Sequence, residues 1–426
     1  MFRSIFAPFR WALLGLTSAL AQPLVAAPIP VEVVESHGHF LLLRGGEPYV
    51  VKGVGGGDRL AELAAIGGNS IRTWGDVSRD FLDAAHAHGL SVAVGLWIEH
   101  ERHGFDYGDE AAVAAQIAKH TAKIDELKDH PAVLLWGIGN EVELNYTDRR
   151  VWDTIEAVAA HAHAVDPHHP TMAVTAHLNP EATAQIKRRA PSIDILGINS
   201  YKGLRVIPEA VREHWREPYL VTEWGTDGGW ESPETAWGAE LEATSTEKAI
   251  MRMRRHGVFS VDRQYCLGGY AFLWGDKIEL TPTWFGMFTP DGAATEEVEV
   301  MSYLWSGEFP EDRAPRISPL TLDGHQAADS LTVTPAQHLM GSFELWSPQD
   351  NVSHVRWEIR PESTDKRMGG DAEELPTMMP TDFLQPALTD VAFAAPTVPG
   401  PYRLYLFCYG AEGRTVATAN LPFLVE

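Results

Sequence analysis

A (β/α)8 barrel followed by a C-terminal antiparallel β-sandwich is the fold class that the sequence predicts, and three observations carry it. Eight short β-rich apolar runs alternate with helical stretches between Tyr49 and Trp274, the pattern of parallel βα units. The alternation extends over roughly 250 residues, the usual span of an eight-stranded barrel. Around Arg313 helical segments vanish and alternating runs such as SHVRWEIRP and YRLYLFCYG take over, the texture of a sandwich of about 110 residues, immunoglobulin-like in architecture.

The eight strands are read in order as YVVKGVG from Tyr49, NSIRTWG from Asn69, LSVAVGLWI from Leu90, AVLLWGIGN from Ala132, TMAVTAHL from Thr171, DILGINSY from Asp194, PYLVTEWG from Pro218 and CLGGYAFLW from Cys266. Stretches such as DRLAELAAIGG, SRDFLDAAHAHG and TDRRVWDTIEAVAAHAHAVDP between them are helices, several closed by Gly or Pro. An open doubly wound sheet is the alternative, since strand counting does not establish closure. The expected domains are residues 30–312 for the barrel and 313–426 for the sandwich, with Glu362 to Pro380 a long loop rich in Pro, Met and acids.

The chain of 426 residues is 45% apolar, 22% charged and carries a formal charge of -24. It can bury a large core. The acidity excludes a nucleic-acid partner, which needs a basic face, and suits a neutral or cationic substrate. Residues 1–21 read as an export signal: Arg3 and Arg10 precede a short apolar stretch, then Ala19-Leu20-Ala21. The expectation is an exported protein, periplasmic or extracellular, with no membrane span. Cys266 and Cys408 are expected as buried free thiols.

In a parallel barrel the catalytic groups stand at the C-terminal ends of strands. Strand two ends in Arg72 and Trp74, three in Trp97 and Glu99, four in Asn140 and Glu141, five in His177 and Asn179, six in Asn199 and Tyr201, seven in Glu223 and Trp224, and eight in Trp274. Two glutamates, Glu141 and Glu223, therefore face each other across one mouth. Glycoside cleavage needs such a pair, one carboxyl protonating the leaving oxygen while the other attacks the anomeric carbon or activates water. Tryptophans at the mouth suit the apolar faces of sugar rings.

WGIGNEVE followed by LVTEWG resembles the strand-four Asn-Glu and strand-seven Glu motifs of clan A glycoside hydrolases, especially families 2 and 5 and the glucanosyltransferases, over roughly residues 45–305. The resemblance implies a retaining mechanism with Glu141 as acid/base and Glu223 as nucleophile. It further implies Asn140 on the sugar 2-hydroxyl, Arg72 and Tyr201 on the nucleophile, and Trp274 as the platform beneath the reactive sugar. His177 is a further substrate-binding candidate, with Trp74 and Trp97, while Trp230 and Trp237 stand in a long segment that could form outer subsites.

Blander readings exist for each. Glu141 could cap a helix, Arg72 could pair with Asp76, Tyr201 could be mouth packing, and Trp136 is a core residue. The crowded histidines do not make a metal site, because His100-Glu101-Arg102-His103 is one residue short of the zincin spacing. GVGGGD fails the dinucleotide spacing at Asp58, and no G-x-S-x-G elbow occurs.

The expected function is cleavage of a β-linked carbohydrate, a β-glucan or β-glucoside favoured, with no cofactor required. A transglycosylase using the same residues and a non-catalytic polysaccharide-binding protein are the alternatives.

Overall fold

The computed structural model describes residues 27–75 and 77–426. The expected export signal and Asp76 lie outside them. The chain opens with a three-stranded antiparallel sheet, β1 (Val31–Ser36), β2 (His39–Arg44) and β3 (Glu47–Pro48), which is not among the strands expected from the sequence. Its Val31 and Leu42 pack against Ala93, Leu135, Met172 and Leu220 at the N-terminal end of the barrel. Val31 N–H donates to the His168 carbonyl and the Arg44 guanidinium to the Pro131 carbonyl, at 2.7 and 2.8 Å. The sheet thus plugs the end opposite the mouth.

The barrel strands are β4 (Val51–Gly56), β5 (Ser70–Arg72), β6 (Ser91–Leu96), β7 (Val133–Asn140), β8 (Thr171–Ala176), β9 (Ile195–Asn199), β10 (Tyr219–Trp224) and β11 (Cys266–Trp274). Every neighbouring pair is parallel, and β11 pairs back to β4 through Tyr270 and Gly53, which closes the ring and rules out an open sheet. All eight residues of β7 and all six of β10 are buried. Strands covered on both faces need such continuous apolar runs. Trp136 is fully buried and its indole N–H donates to Asp166 at 2.8 Å.

Beyond the barrel, β12 (Thr321–Leu322), β13 (Thr332–Val333), β14 (His338–Ser342), β15 (Val352–Pro361), β16 (Leu384–Ala387), β17 (Asp390–Ala394), β18 (Gly400–Gly410) and β19 (Val416–Val425) form two four-stranded sheets. Pairing is antiparallel except between β13 and β19. Leu339 and Val391 of one sheet meet Trp357, Leu404 and Phe423 of the other in a common core. Trp357 is therefore a packing residue, whereas Trp346 is 54% exposed. Both cysteines are free, Cys408 buried and Cys266 only partly so.

The sandwich is fastened to the barrel by buried polar groups. Arg403, 1% exposed, donates to Glu362 at 2.8 Å and to the Glu240 carbonyl at 2.8 Å. Asn420 reaches Glu242, which also holds Lys248. Buried charges of this kind persist only when fully paired.

Candidate active site

At the mouth, β5, β7, β9 and β10 deliver one hydrogen-bonded constellation. Glu223, 6% exposed near the end of β10, accepts from three side chains. Arg72 Nη1 and Trp74 Nε1 donate to its Oε1 at 2.9 and 3.0 Å, and the Tyr201 hydroxyl donates to Oε2 at 2.8 Å. Arg72, itself 3% exposed, sends Nη2 to Asn140 Oδ1 at 2.6 Å. Burial, then the charge of Glu223, holds the Tyr201 phenol well above its ordinary range, so it stays a donor.

Glu141 is set apart by local backbone. β7 ends through Gly139, at φ 77°, and Asn140, and Glu141 itself takes φ 51° with its N–H on the Val174 carbonyl at 2.9 Å. Left-handed backbone at a non-glycine residue is uncommon and concentrates at functional positions. Its carboxyl accepts from Asn199 Nδ2 at 2.8 Å. Burial first and the Glu223 charge second push this carboxyl up to about 7, although one edge of the residue opens on the cavity. Two glutamates of the same chemistry are thus driven into different surroundings. Next to it, buried Glu143 accepts the Ala176 N–H at 2.6 Å, and burial raises its carboxyl to about 8.

Trp74, Asn140, Glu141, Asn199, Tyr201 and Glu223 line a cavity of about 1100 Å³ together with Trp97, His177 and Trp230, while Arg72 and Glu143 stand behind its wall. Trp97 stacks on His100 with centroids 4.8 Å apart, and His177 Nδ1 lies 2.9 Å from the Ser200 hydroxyl. Trp230, 67% exposed, sets its ring edge-on to Tyr201 at 5.6 Å; Trp237 is not among the lining residues.

Trp274 is a correction. It is 1% exposed, packs edge-on against Phe288 at 4.9 Å and lies outside the cavity. Strand alternation would give residues 272 and 274 one facing. The register of β11 against β4 shifts between Ala271 and Trp274, and Phe272 with Leu273 faces the cavity instead.

Sequence reasoning also left three features out of the site. Asn199 bridges the two motifs, accepting from the Thr222 hydroxyl at 2.8 Å and donating to Asn140 Oδ1 at 3.1 Å as well as to Glu141; its place at a strand end, two residues before Tyr201, was the available signal. Lys277 and Glu279, paired at 2.6 Å in the loop after β11, line the wall. Residues 366–371 and 373 of the sandwich domain do so as well, and no local pattern announces them.

The histidines are dispersed: His161 pairs with Asp125, His163 with Asp194 and His169 with Asp166. Among the described residues no group of three His, Cys, Asp or Glu side chains could hold a metal ion. Nor is any helix among them long and apolar enough to cross a membrane.

Residues 83–238, which include both glutamates, match the family model "Glycosyl hydrolases family 2, TIM barrel domain". That segment is thus similar to the barrel domain of family 2 glycosyl hydrolases. No curated protein matches the chain. Among solved structures, a protein described as a β-galactosidase from Bacteroides fragilis aligns with TM-score 0.51 and 15% identity, covering 93% of this chain and 58% of the other. An FMN-binding β-glucuronidase from Facaelibacterium prausnitzii L2-6 aligns with TM-score 0.51 and 16% identity, covering 92% and 59%. This chain spans less than three fifths of either protein, and at these identities the likeness is one of fold. Arg72 and Trp74 precede the matched segment, yet they bond to a glutamate inside it.

Proposed function

We propose that the protein is an exported retaining β-glycosidase acting on β-linked neutral carbohydrate, a β-glucan or β-glucoside, with Glu223 as nucleophile and Glu141 as acid/base. The observation that carries the reading is the asymmetry of the two carboxyls. Three donors, one of them cationic, converge on Glu223, whereas Glu141 takes one neutral amide and is pushed up to about 7. A nucleophilic carboxylate and a carboxylic acid need those two environments.

In the first step Glu223 bonds to the anomeric carbon as the glycosidic C–O bond breaks. The electron pair leaves with the oxygen, which takes the Glu141 proton. Glu223 Oε1 has two donors and Oε2 one, so Oε2 keeps the freer lone pairs for attack. In the second step the Glu141 carboxylate takes a proton from water, whose oxygen bonds to the anomeric carbon and releases Glu223. Asn140 Oδ1 is occupied by Arg72 and Asn199, which leaves its amide N–H to donate to the sugar 2-hydroxyl.

The wall supports a neutral sugar. Each described Lys or Arg lining the cavity already has an acid: Lys277 has Glu279, Lys366 has Glu240 and Arg367 has Asp365. A uronate carboxylate would need a cation of its own. The exposed Trp230 ring beside Tyr201 favours a second reading, in which a bound sugar replaces water as acceptor and the same two glutamates perform transfer.

The test is product analysis of wild type and Glu223→Ala with β-glucans, β-gluco-oligosaccharides, β-galactosides and β-glucuronides. Release or lengthening of neutral oligosaccharides by wild type alone is expected, and the product ladder separates hydrolysis from transfer. Binding without turnover by both proteins would make the barrel a carbohydrate-binding scaffold.

A further inference from the structure

The loop after β15, residues 362–383, belongs to the sandwich but lies across the barrel mouth. Its Met368 carbonyl accepts from Arg102 at 2.7 Å, and Asp371 takes Arg102 and His103 at 3.2 and 2.9 Å, all on the loop after β6. On the other side the Gly370 carbonyl accepts from Lys277 at 2.7 Å and Glu373 accepts the Leu280 N–H at 2.6 Å, both on the loop after β11. Lys366 also reaches Glu240 on the loop after β10 at 2.6 Å, and Asn145 Nδ2 on the loop after β7 donates to the Met368 sulfur at 3.0 Å, so the segment is a strap whose ties at the β6 and β11 loops are reinforced at two further points of the ring.

Between the β6 and β11 ties in strand order lie β4 and β5. No described residue of the loop immediately after β4 lines the cavity, whereas Met368, Gly369, Gly370 and Asp371 do. The two glycines fit the crossing, with φ 66° and 73°: a Cβ on Gly369 would stand 2.7 Å from the Arg102 guanidinium, and one on Gly370 3.0 Å from the Lys277 ammonium. On the opposite side, over β8 and β9, the lining comes from His177, Ser200 and Tyr201, joined by the exposed Trp230.

We propose that this strap of the second domain is the glycone-side wall of the active site and restricts cleavage to the non-reducing end of a chain. The inference rests on the glycosidase reading. Glu141 must reach the leaving oxygen, and it stands at the end of β7, bordering the open side. The leaving sugar passes over β8 and β9 toward Trp230, and the glycone faces Trp74, Trp97 and the strap. A longer glycone would meet the strap backbone, so the cavity holds a chain end and excludes a continuing chain. The sandwich is then part of the active site.

The test uses full-length protein and β-1,3- and β-1,4-linked gluco- and galacto-hexaoses labelled at the reducing end, each also prepared with a 4,6-O-benzylidene cap on the non-reducing sugar. Wild type is expected to shorten the uncapped chains from the non-reducing end and to cleave capped ones at least 10-fold more slowly. Arg102→Ala combined with Asp371→Ala unties one end of the strap. That variant, checked for an unchanged melting profile, is expected to cleave capped chains and to release internal fragments early.

As a second readout without turnover, calorimetry on Glu141→Gln should show capped hexaose bound at least 10-fold more weakly than uncapped, and the difference should shrink when the strap is untied. Internal fragments from wild type in the first turnovers, or equal binding of capped and uncapped chains, overturn the wall. So does an untied variant with an unaltered product pattern. Absence of any β-glycoside turnover by wild type overturns the glycosidase reading instead, which the 4-nitrophenyl β-glycosides report separately.

Discussion

Arg72 Nη1 lies 2.9 Å from Glu223 Oε1, an ion pair in which both partners are buried, and the other fork of the same guanidinium holds Asn140 at 2.6 Å. One planar group therefore fixes the nucleophile and the amide proposed for the 2-hydroxyl in a single geometry. A lysine carries the charge but has no rigid fork. Arg72→Lys is expected to fold and to lose about 10²-fold or more in kcat/KM, and Arg72→Ala to lose in addition about 3–5 kcal/mol of stability, because it strands a buried carboxylate. Paired kinetics and denaturant melts check both.

Glu223→Ala removes the attacking atom, and hydrolysis of every substrate should fall below detection. Glu141→Gln should behave differently. General acid–base assistance contributes roughly 10²–10⁴-fold, and it matters least when the leaving group departs easily. Dinitrophenyl β-glycosides should retain kcat/KM in Glu141→Gln, with kcat limited by unassisted attack of water on the glycosyl-enzyme, while alkyl glycosides lose both; equal losses of kcat/KM for both substrate types would remove Glu141 from the acid role.

Because the Glu141 carboxyl is raised to about 7 and must be protonated in the free enzyme, wild-type kcat/KM is expected to fall as pH rises through about 7. The limb should vanish from the residual activity of Glu141→Gln. A pH–rate profile between pH 4 and 9 measures it.

Glu143 gives a stability counterpart. Burial raises its carboxyl from the ordinary 4.5 to about 8, so its favourable contribution is complete below about 4.5 and is lost as pH rises through about 8. The spread is on the order of 5 kcal/mol at most. Glu143→Gln keeps an oxygen for the Ala176 N–H and carries no charge, so its melting temperature should exceed that of wild type at pH 9 and converge with it near pH 4.

Trp230 faces the cavity beside Tyr201 with most of its ring free. An aromatic ring laid on the apolar face of a sugar buries area worth on the order of 1 kcal/mol. Trp230→Ala should raise KM for oligosaccharides several-fold with little change in kcat, and should lower the ratio of transfer to hydrolysis if an acceptor sugar sits there. Chromatography at high acceptor concentration reads that ratio.

What the sequence by itself determined is the barrel and the strand ends. Buried parallel strands must be continuous apolar runs, and polar groups that interrupt them at their C-terminal ends are confined to the mouth. Asn140, Glu141, Glu223, Arg72 and Tyr201 were legible as mouth residues for that reason, whereas the separate roles proposed for the two glutamates came from the motif resemblance.

Tertiary structure alone decided the rest. Trp274 turned into the core because a register shift between Ala271 and Trp274 broke the alternation that periodicity assumes. Asn199 joined Glu141 to Asn140 only once β7 and β9 were brought together around the ring. The strap reached the mouth from the sandwich, held by Arg102 and Lys277, residues remote in sequence from Met368 and Gly370. Local periodicity reports which face of an element is buried; which distant segment covers that face depends on packing between elements, and that is set by the whole chain at once.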